Sequence, residues 1–199
     1  MKEVKYKKSD FKKISWEEYG QVLERLYKKV DKYLRNKKVK IDAIVPILRG
    51  GAFPGAFFSY KLRILRIMPV QYKYLFEGGF KLRQLMPIRK PNFKLSKKPI
   101  FLLVENNHCY GTTAIKVAND LKKKFPSCKI IYAAAWVDYS NRKNKVFDVS
   151  FYGKLTNETA GLSKKEAEKK GIENFMSLFP WEDINEEFAA VSSKEFKYN

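Results

Sequence analysis

The chain is poor in the residues that usually build metal and thiol chemistry. It has two cysteines, Cys109 and Cys128, and one histidine, His108, in 199 residues. Two cysteines are too few for a disulfide framework, and neither sits in a CxxC spacing. One histidine argues against a zinc site of the usual Cys/His type. No apolar run approaches the roughly eighteen residues that a membrane-spanning helix needs. The first ten residues, MKEVKYKKSD, lack the apolar core of a secretory signal. No internal repeat is present beyond two similar strand–loop–helix units. These shortages predict a soluble, cytoplasmic protein with no membrane partner.

Acidic residues are scarce as well, 21 against 41 basic ones, which leaves a net charge of +20. Such a balance attracts nucleic acid through counterion release. Only eight of the basic residues are Arg, however, and the Lys are scattered along the whole chain. Readers of DNA sequence concentrate Arg where bases are contacted. Diffuse Lys fits solubility, a compositional bias or attraction of polyanionic small ligands better than specific nucleic-acid binding.

What is present is organised around Pro99 to Leu121, PIFLLVENNHCYGTTAIKVANDL. Ile100 to Val104 form an apolar run of the kind buried on both faces of a parallel sheet. A short polar turn with Gly111 follows, and then Ile115, Val117, Ala118 and Leu121 recur at helical spacing. Free N–H groups at a helix start bind anions, phosphate above all. An ordinary βα turn has the same spacing.

Upstream, residues 1 to 14 read as a basic, loosely held leader. Ser15 and Glu18 match a capping box, and Val22, Leu23, Leu26, Val30 and Leu34 predict a helix to about Arg35. Ile41 to Leu48 is a second strand, apolar except for Asp42. It runs into Arg49-Gly50-Gly51 and a helix-like segment. Glycines directly after a strand let the backbone approach a ligand, and Arg49 adds a fixed positive charge. The same pair could simply turn the chain.

Ile67 to Leu75 reads as a third strand, with Pro69 suggesting an edge. Residues 77 to 98 carry Gly78-Gly79, Pro87, Pro91 and seven basic residues, and read either as a hairpin flap or as a connector. Lys129 to Val137 is a fourth strand and Val146 to Tyr152 a further one. A short helix is expected near Lys164 to Lys170, and 191 to 199 as a tail. Alternating strands and helices predict an α/β domain over 15–190 with a mainly parallel sheet flanked by helices, a mobile flap and a small hood from 138–182. Ligands of such sheets sit at the carboxyl ends of the strands. There Arg49-Gly50-Gly51, the Glu105–Thr113 loop, Trp136 and Trp181 would converge.

Taken together, the ISWEE helix start, the VPILRGG strand and loop, the central strand and loop and the closing FPWE resemble a type I phosphoribosyltransferase. The hypoxanthine, xanthine and guanine branch of purine salvage is the most similar. The resemblance spans roughly Ile14 to Glu182. Its central loop normally reads two acidic residues, two apolar ones and Asp-Thr-Gly-x-Thr. Here Glu105 and Asn106 occupy the acidic pair, which in relatives binds the ribose hydroxyls of phosphoribosyl pyrophosphate (PRPP). Asn107 and His108 stand at the apolar positions.

The resemblance further implies that Tyr110, Gly111, Thr112 and Thr113 cradle the 5′-phosphate, and that Arg49, Gly50 and Gly51 hold the pyrophosphate. Phe175 and Met176 fall at the base-binding positions, joined at the strand ends by Trp136, Val137 and Trp181. Glu105 and Glu182 are the candidate Mg²⁺ ligands. Arg49 and Cys109 are the catalytic candidates, Cys109 because it stands where oxopurine relatives carry Asp.

The implied reaction transfers phosphoribosyl from PRPP to a purine or related nucleobase, with release of pyrophosphate. A homodimer or homotetramer is the implied assembly. The loss of charge at Asn106, the thiol at Cys109, the bulk of Tyr110 and the absence of a base-reading Lys near Trp136-Val137 keep a second reading open. That alternative is a catalytically weak PRPP- or nucleotide-binding sensor.

Overall fold

The computed structural model describes residues 7–76 and 80–192. Helix α1 (Trp16–Asn36) starts where Ser15 accepts the Glu18 N–H at 3.0 Å. The Glu18 carboxylate does not reach back to complete the expected box. It pairs instead with Lys154 at 2.7 Å, a cation brought near by the tertiary fold. The apolar stripe from Val22 to Leu34 is buried, as its spacing predicts.

The main sheet has the order β4-β3-β2-β5-β6-β7. Its strands are β2 (Ala43–Leu48), β3 (Val70–Phe76), β4 (Phe80–Met86), β5 (Ile100–His108), β6 (Lys129–Asp138) and β7 (Val149–Thr156). All neighbours are parallel except β3 and β4, which form an antiparallel hairpin at one edge. The α/β class with a mainly parallel sheet is therefore as expected.

Two helices leave neighbouring strands on opposite faces. After β2, α2 (Ala52–Leu62) packs Phe58 with Leu26 and Val30 of α1 against Ile44, Leu102 and Val104. After β5, α3 (Thr112–Lys124) packs Val117, Ala118 and Leu121 against Val45, Phe101 and Leu103 on the other face. Between β2 and β5 the strand order thus reverses direction, and a crevice opens at their carboxyl ends.

Several expectations change. The central strand was expected to end at Val104, with a polar turn after it. It continues to His108, because β6 keeps pairing with it as far as His108↔Val137. The turn proper is only Cys109 to Gly111.

The basic leader is ordered from residue 7: β1 (Phe11–Lys13) pairs in parallel with β8 (Met176–Leu178), and Ile14 is buried. Residues 1–6 lie outside the described residues. Of the stretch expected as a hood, β7 is a strand of the main sheet. The part outside that sheet comprises α4 (Lys164–Lys169) and β8, with α5 (Ile184–Ser192) following.

Of the 77–98 segment expected as a flap or a connector, 77–79 lie outside the described residues and Phe80–Met86 form β4, paired with β3. The following segment is a packed return rather than a bare connector: Ile88 is buried, and Phe93 and Leu95 lean on the main core. The tail expected from 191 begins within α5, and 193–199 lie outside the described residues.

Asp42, the one polar residue in its apolar run, ties this return to the sheet. Its carboxylate accepts the Ser96 N–H at 2.8 Å, the Ile100 N–H at 2.9 Å and the Ser96 hydroxyl at 3.1 Å. Asp42→Ala should cost about 1–3 kcal/mol, because partly buried donors lose their acceptor. Urea unfolding of the variant against the parent chain measures it.

Candidate functional site

At the reversal point lies a cleft of about 260 Å³. Leu48 and Gly50 reach it from the β2 loop, Glu105, Asn106 and Asn107 from the end of β5, and Thr113 from the start of α3. Met176, Ser177, Phe179, Glu182 and Glu187 come from the C-terminal part, and Phe11, Ile47 and Tyr72 complete the wall. Residues more than a hundred positions apart thus share one surface. The expected site residues brought together are Gly50, Glu105, Asn106, Thr113, Met176 and Glu182.

The β2 loop follows a cis Leu48–Arg49 peptide. Its glycines are required by close approach rather than by turning alone. A Cβ on Gly51 would lie 2.6 Å from the carbonyl oxygens of Ile47 and Val104, and one on Gly50 would lie 3.2 Å from Asn106 Cβ. Two loops can therefore meet only because these side chains are missing. Arg49 is exposed beside the cleft. Its charge acts on Glu187, whose carboxyl is otherwise raised by burial and by neighbouring Glu186.

The β5 loop is folded over a buried histidine. Gly111 takes a φ of 73° as the N-cap of α3, and a Cβ there would fall 2.2 Å from the His108 imidazole. His108 Nε2 faces the Asn141 carbonyl at 3.3 Å. The Asn141 side chain in turn donates to the Cys109 carbonyl at 2.9 Å. The Tyr132 hydroxyl lies 2.8 Å from His108 Nδ1 and donates to Glu105 Oε2 at 2.5 Å. Burial holds His108 down to about 4, so the ring is neutral at physiological pH. The start of α3 has no side-chain cap and no acidic residue in its first turn, which leaves its first N–H groups for an anion.

The cleft's own charge is acidic, within a strongly basic chain. Glu105, with a 13% exposed side chain, is lifted to about 7 by burial, against the lowering effect of Tyr132. Glu182 is lifted to about 7 by burial, while the Phe179 N–H that it accepts at 2.8 Å pulls the other way. Both offer hard carboxylate oxygens, and Asn106 adds an unpartnered buried amide oxygen at the same wall. That donor set fits Mg²⁺, which binds one or two carboxylates and takes further oxygens from a phosphorylated ligand. No cluster of three or more His, Cys, Asp or Glu suited to a metal occurs among the described residues.

Other expected site residues lie elsewhere. Trp136 and Val137 are fully buried and do not line the cleft. Trp136 stacks on Tyr19 at 5.4 Å and meets Phe179 edge-on at 5.1 Å, so it is packing rather than a platform for a base. Trp181 stacks on Phe53 at 4.5 Å in the same aromatic cluster.

Phe175 is also outside the lining, with the Lys12 ammonium 4.8 Å and the Lys154 ammonium 5.3 Å from its ring centre. Cys109, a catalytic candidate, does not line the cleft either. Burial and the neighbouring Glu158 and Asp138 push its thiol well up, so it stays protonated and is no general base. Tyr110, Gly111 and Thr112 form the turn and helix start without lining the cleft.

Sequence reasoning missed Ser177, Phe179, Glu187 and the buried Glu158 behind them. Ser177 lies on a strand of three residues and Phe179 directly follows it, an alternation too brief to read. Glu158 was hidden in a charged stretch, with nothing local to mark it as buried.

No protein-family profile matches the chain, and no curated protein does. Solved structures do match. A purine phosphoribosyltransferase of Pyrococcus horikoshii shares 20% identity over 87% of this chain and 95% of its own, with a TM-score of 0.60. A hypothetical protein of Neisseria gonorrhoeae solved with bound ppGpp shares 18% over 91% and 96%, with a TM-score of 0.64. The xanthine-guanine-hypoxanthine phosphoribosyltransferase of Helicobacter pylori shares 16% over 90% and 99%, with a TM-score of 0.60. The chain therefore has the fold of the type I purine phosphoribosyltransferases.

Glu105 makes stability depend on pH. Its carboxyl goes from an ordinary 4.5 to about 7 in the fold. The unfolded chain thus releases this proton first, and the stability contributed by the neutral form is lost as pH rises from about 4.5 through about 7. Glu105→Gln keeps an acceptor for Tyr132 and cannot ionise. Denaturation at pH 5 and pH 8 in chelator should show a smaller loss of stability for the variant than for the parent.

Proposed function

We propose that this chain is a phosphoribosyltransferase that moves 5-phosphoribosyl from PRPP to a purine or related nucleobase and releases pyrophosphate. The observation that carries the reading is the single cleft at the strand reversal, where Gly50, Glu105, Asn106 and Thr113 meet. The purine-transferase fold of the similar structures supports the substrate class.

In this reading the uncapped start of α3, with Thr113 at the cleft wall, holds the 5′-phosphate. Glu105 and Asn106 Oδ1 accept the ribose hydroxyls. The β2 loop offers the Arg49 guanidinium and a backbone free of side chains to the pyrophosphate. Glu105 and Glu182 would hold Mg²⁺, which when bound would supply charge neutralisation for the diphosphate. The base enters against Met176, the one candidate base contact that lines the cleft. Bond cleavage at C1 builds positive charge on the ribose ring, and the neighbouring carboxylates stabilise it. Positioning and charge neutralisation therefore do most of the work. The net charge of +20 draws a polyanionic substrate from solution.

The same reading includes a homodimer or homotetramer in the cytoplasm. No helix among the described residues is long and apolar enough to cross a membrane. Exposed apolar side chains, Leu65 and Ile67 among them, support self-association, and sedimentation tests it.

The experiment is pyrophosphate release from Mg²⁺-PRPP with a mixed nucleobase panel. A second reading, a nucleotide-binding sensor, is favoured by the protonated thiol at Cys109 and by the ppGpp in the Neisseria structure. Silence across the panel despite tight PRPP or ppGpp binding would select it. If neither ligand raises the melting temperature, both readings fall. Arg49→Ala should weaken PRPP binding roughly 10- to 100-fold by calorimetry, the usual loss of one charge-assisted contact.

A further inference from the structure

The polar wall of the cleft carries a group for which the transferase reading has so far no use. Asn107 stands where the resembled family has an apolar residue, and it lines the cleft. Its Nδ2 donates to Glu158 Oε2 at 2.9 Å, and Glu158 is only 2% exposed. The other carboxylate oxygen accepts the Ser177 N–H at 3.1 Å and the Ser177 hydroxyl at 2.5 Å. An ionised Glu158 can only accept, at Oε1 from the Ser177 N–H and hydroxyl and at Oε2 from Asn107, which therefore offers it the amide NH2. The amide is thereby held in one orientation.

The remaining atom, Asn107 Oδ1, is buried without a partner. Such atoms are few among the described residues: Tyr19 Oη and Trp136 Nε1 in the aromatic cluster, and the consecutive Asn106 and Asn107 Oδ1. Only the two asparagines line the cleft. A buried acceptor left unpaired is costly, and a ligand that supplies a donor removes the cost. The ribose hydroxyls account for Asn106. They leave Asn107 unexplained, on a cleft that also offers Met176 and Phe179 as apolar surface for a planar ring.

We propose that Asn107 selects the base: its Oδ1 accepts an N–H, favouring a nucleobase with an amino donor at that edge, while Glu158 and Ser177 position the amide. This inference deepens the transferase reading and rests on it. A base with a carbonyl at that edge sets acceptor against acceptor and leaves Oδ1 unpaired. Glu158 acts through Asn107 and is a positioning residue.

Calorimetry of the full chain with GMP, AMP and IMP, and separately with Mg²⁺-PRPP, tests this. GMP differs from IMP by one exocyclic amino group, and AMP replaces the 6-oxo acceptor of IMP with an amino donor. The parent chain should bind GMP or AMP about 10-fold or more tighter than IMP. Asn107→Leu should bring that ratio to roughly 2-fold or less as the specific bond is lost.

Glu158→Gln is nearly isosteric and gives a sharper readout. Its Oε1 still serves Ser177, while its amide NH2 faces Asn107, which then turns its own NH2 toward the cleft. The ratio should shift in favour of IMP. A purely structural role would weaken all three nucleotides alike and leave the ratio unmoved. Equal affinities in the parent, or an unchanged ratio in folded Glu158→Gln, overturn the proposal. Failure of PRPP to bind while the ratio behaves as described overturns the transferase reading and keeps the amino-reading role of Asn107.

Discussion

The structure depends on one packing constraint: β2 and β5 are parallel neighbours whose helices leave to opposite faces. Neither helix can close over the gap between the strand ends, so a crevice is unavoidable there. The constraint is tight. Gly51 has backbone carbonyls 2.6 Å from where a Cβ would sit, and Gly50 faces Asn106 at 3.2 Å. The glycines that follow β2 are therefore a packing requirement, and in the proposed function they are a ligand-binding feature as well. The short parallel pair β1–β8 brings a second wall, carrying Met176 and Ser177 to the same opening.

Beneath the crevice runs a buried polar framework that the family pattern alone does not supply. His108 fills the space under Gly111 and links, through Tyr132, to Glu105, and through Asn141 to the Cys109 carbonyl. Glu158 similarly joins the end of β5 to β8. Buried polar groups are stabilising only when satisfied, so such contacts fix a unique loop geometry as much as they add free energy. Glu105 and the turn at Cys109–Gly111 thus share a single scaffold.

Charge is distributed unevenly for a reason. The surface carries a large excess of Lys, while the cleft gathers Glu105, Glu182 and Glu187 around one peripheral Arg49. Surface charge attracts a polyanion over a distance set by screening. Oxygen-rich walls then suit hydroxyl, amino and metal partners at close range. In the proposed function the two charge patterns serve different steps, encounter and recognition.

Much of the fold was legible because its signals are local. The apolar runs at Ile41–Leu48, Ile100–Val104 and Lys129–Val137, the helical spacing of Val22 to Leu34, and the glycines after β2 and β5 each follow from neighbouring residues alone. The sequence by itself determined the α/β class and the two loops on which Gly50, Glu105 and Thr113 stand. Cleft membership came only with tertiary structure. Trp136 and Val137 sit at a strand end as expected, yet both are fully buried, Trp136 in the aromatic core, and Phe175 lies under two lysines. Which way a terminal side chain points depends on register with a distant strand, and Glu158 becomes a buried partner only when β5 and β8 meet. Long-range pairing carries that information, and no local pattern encodes it.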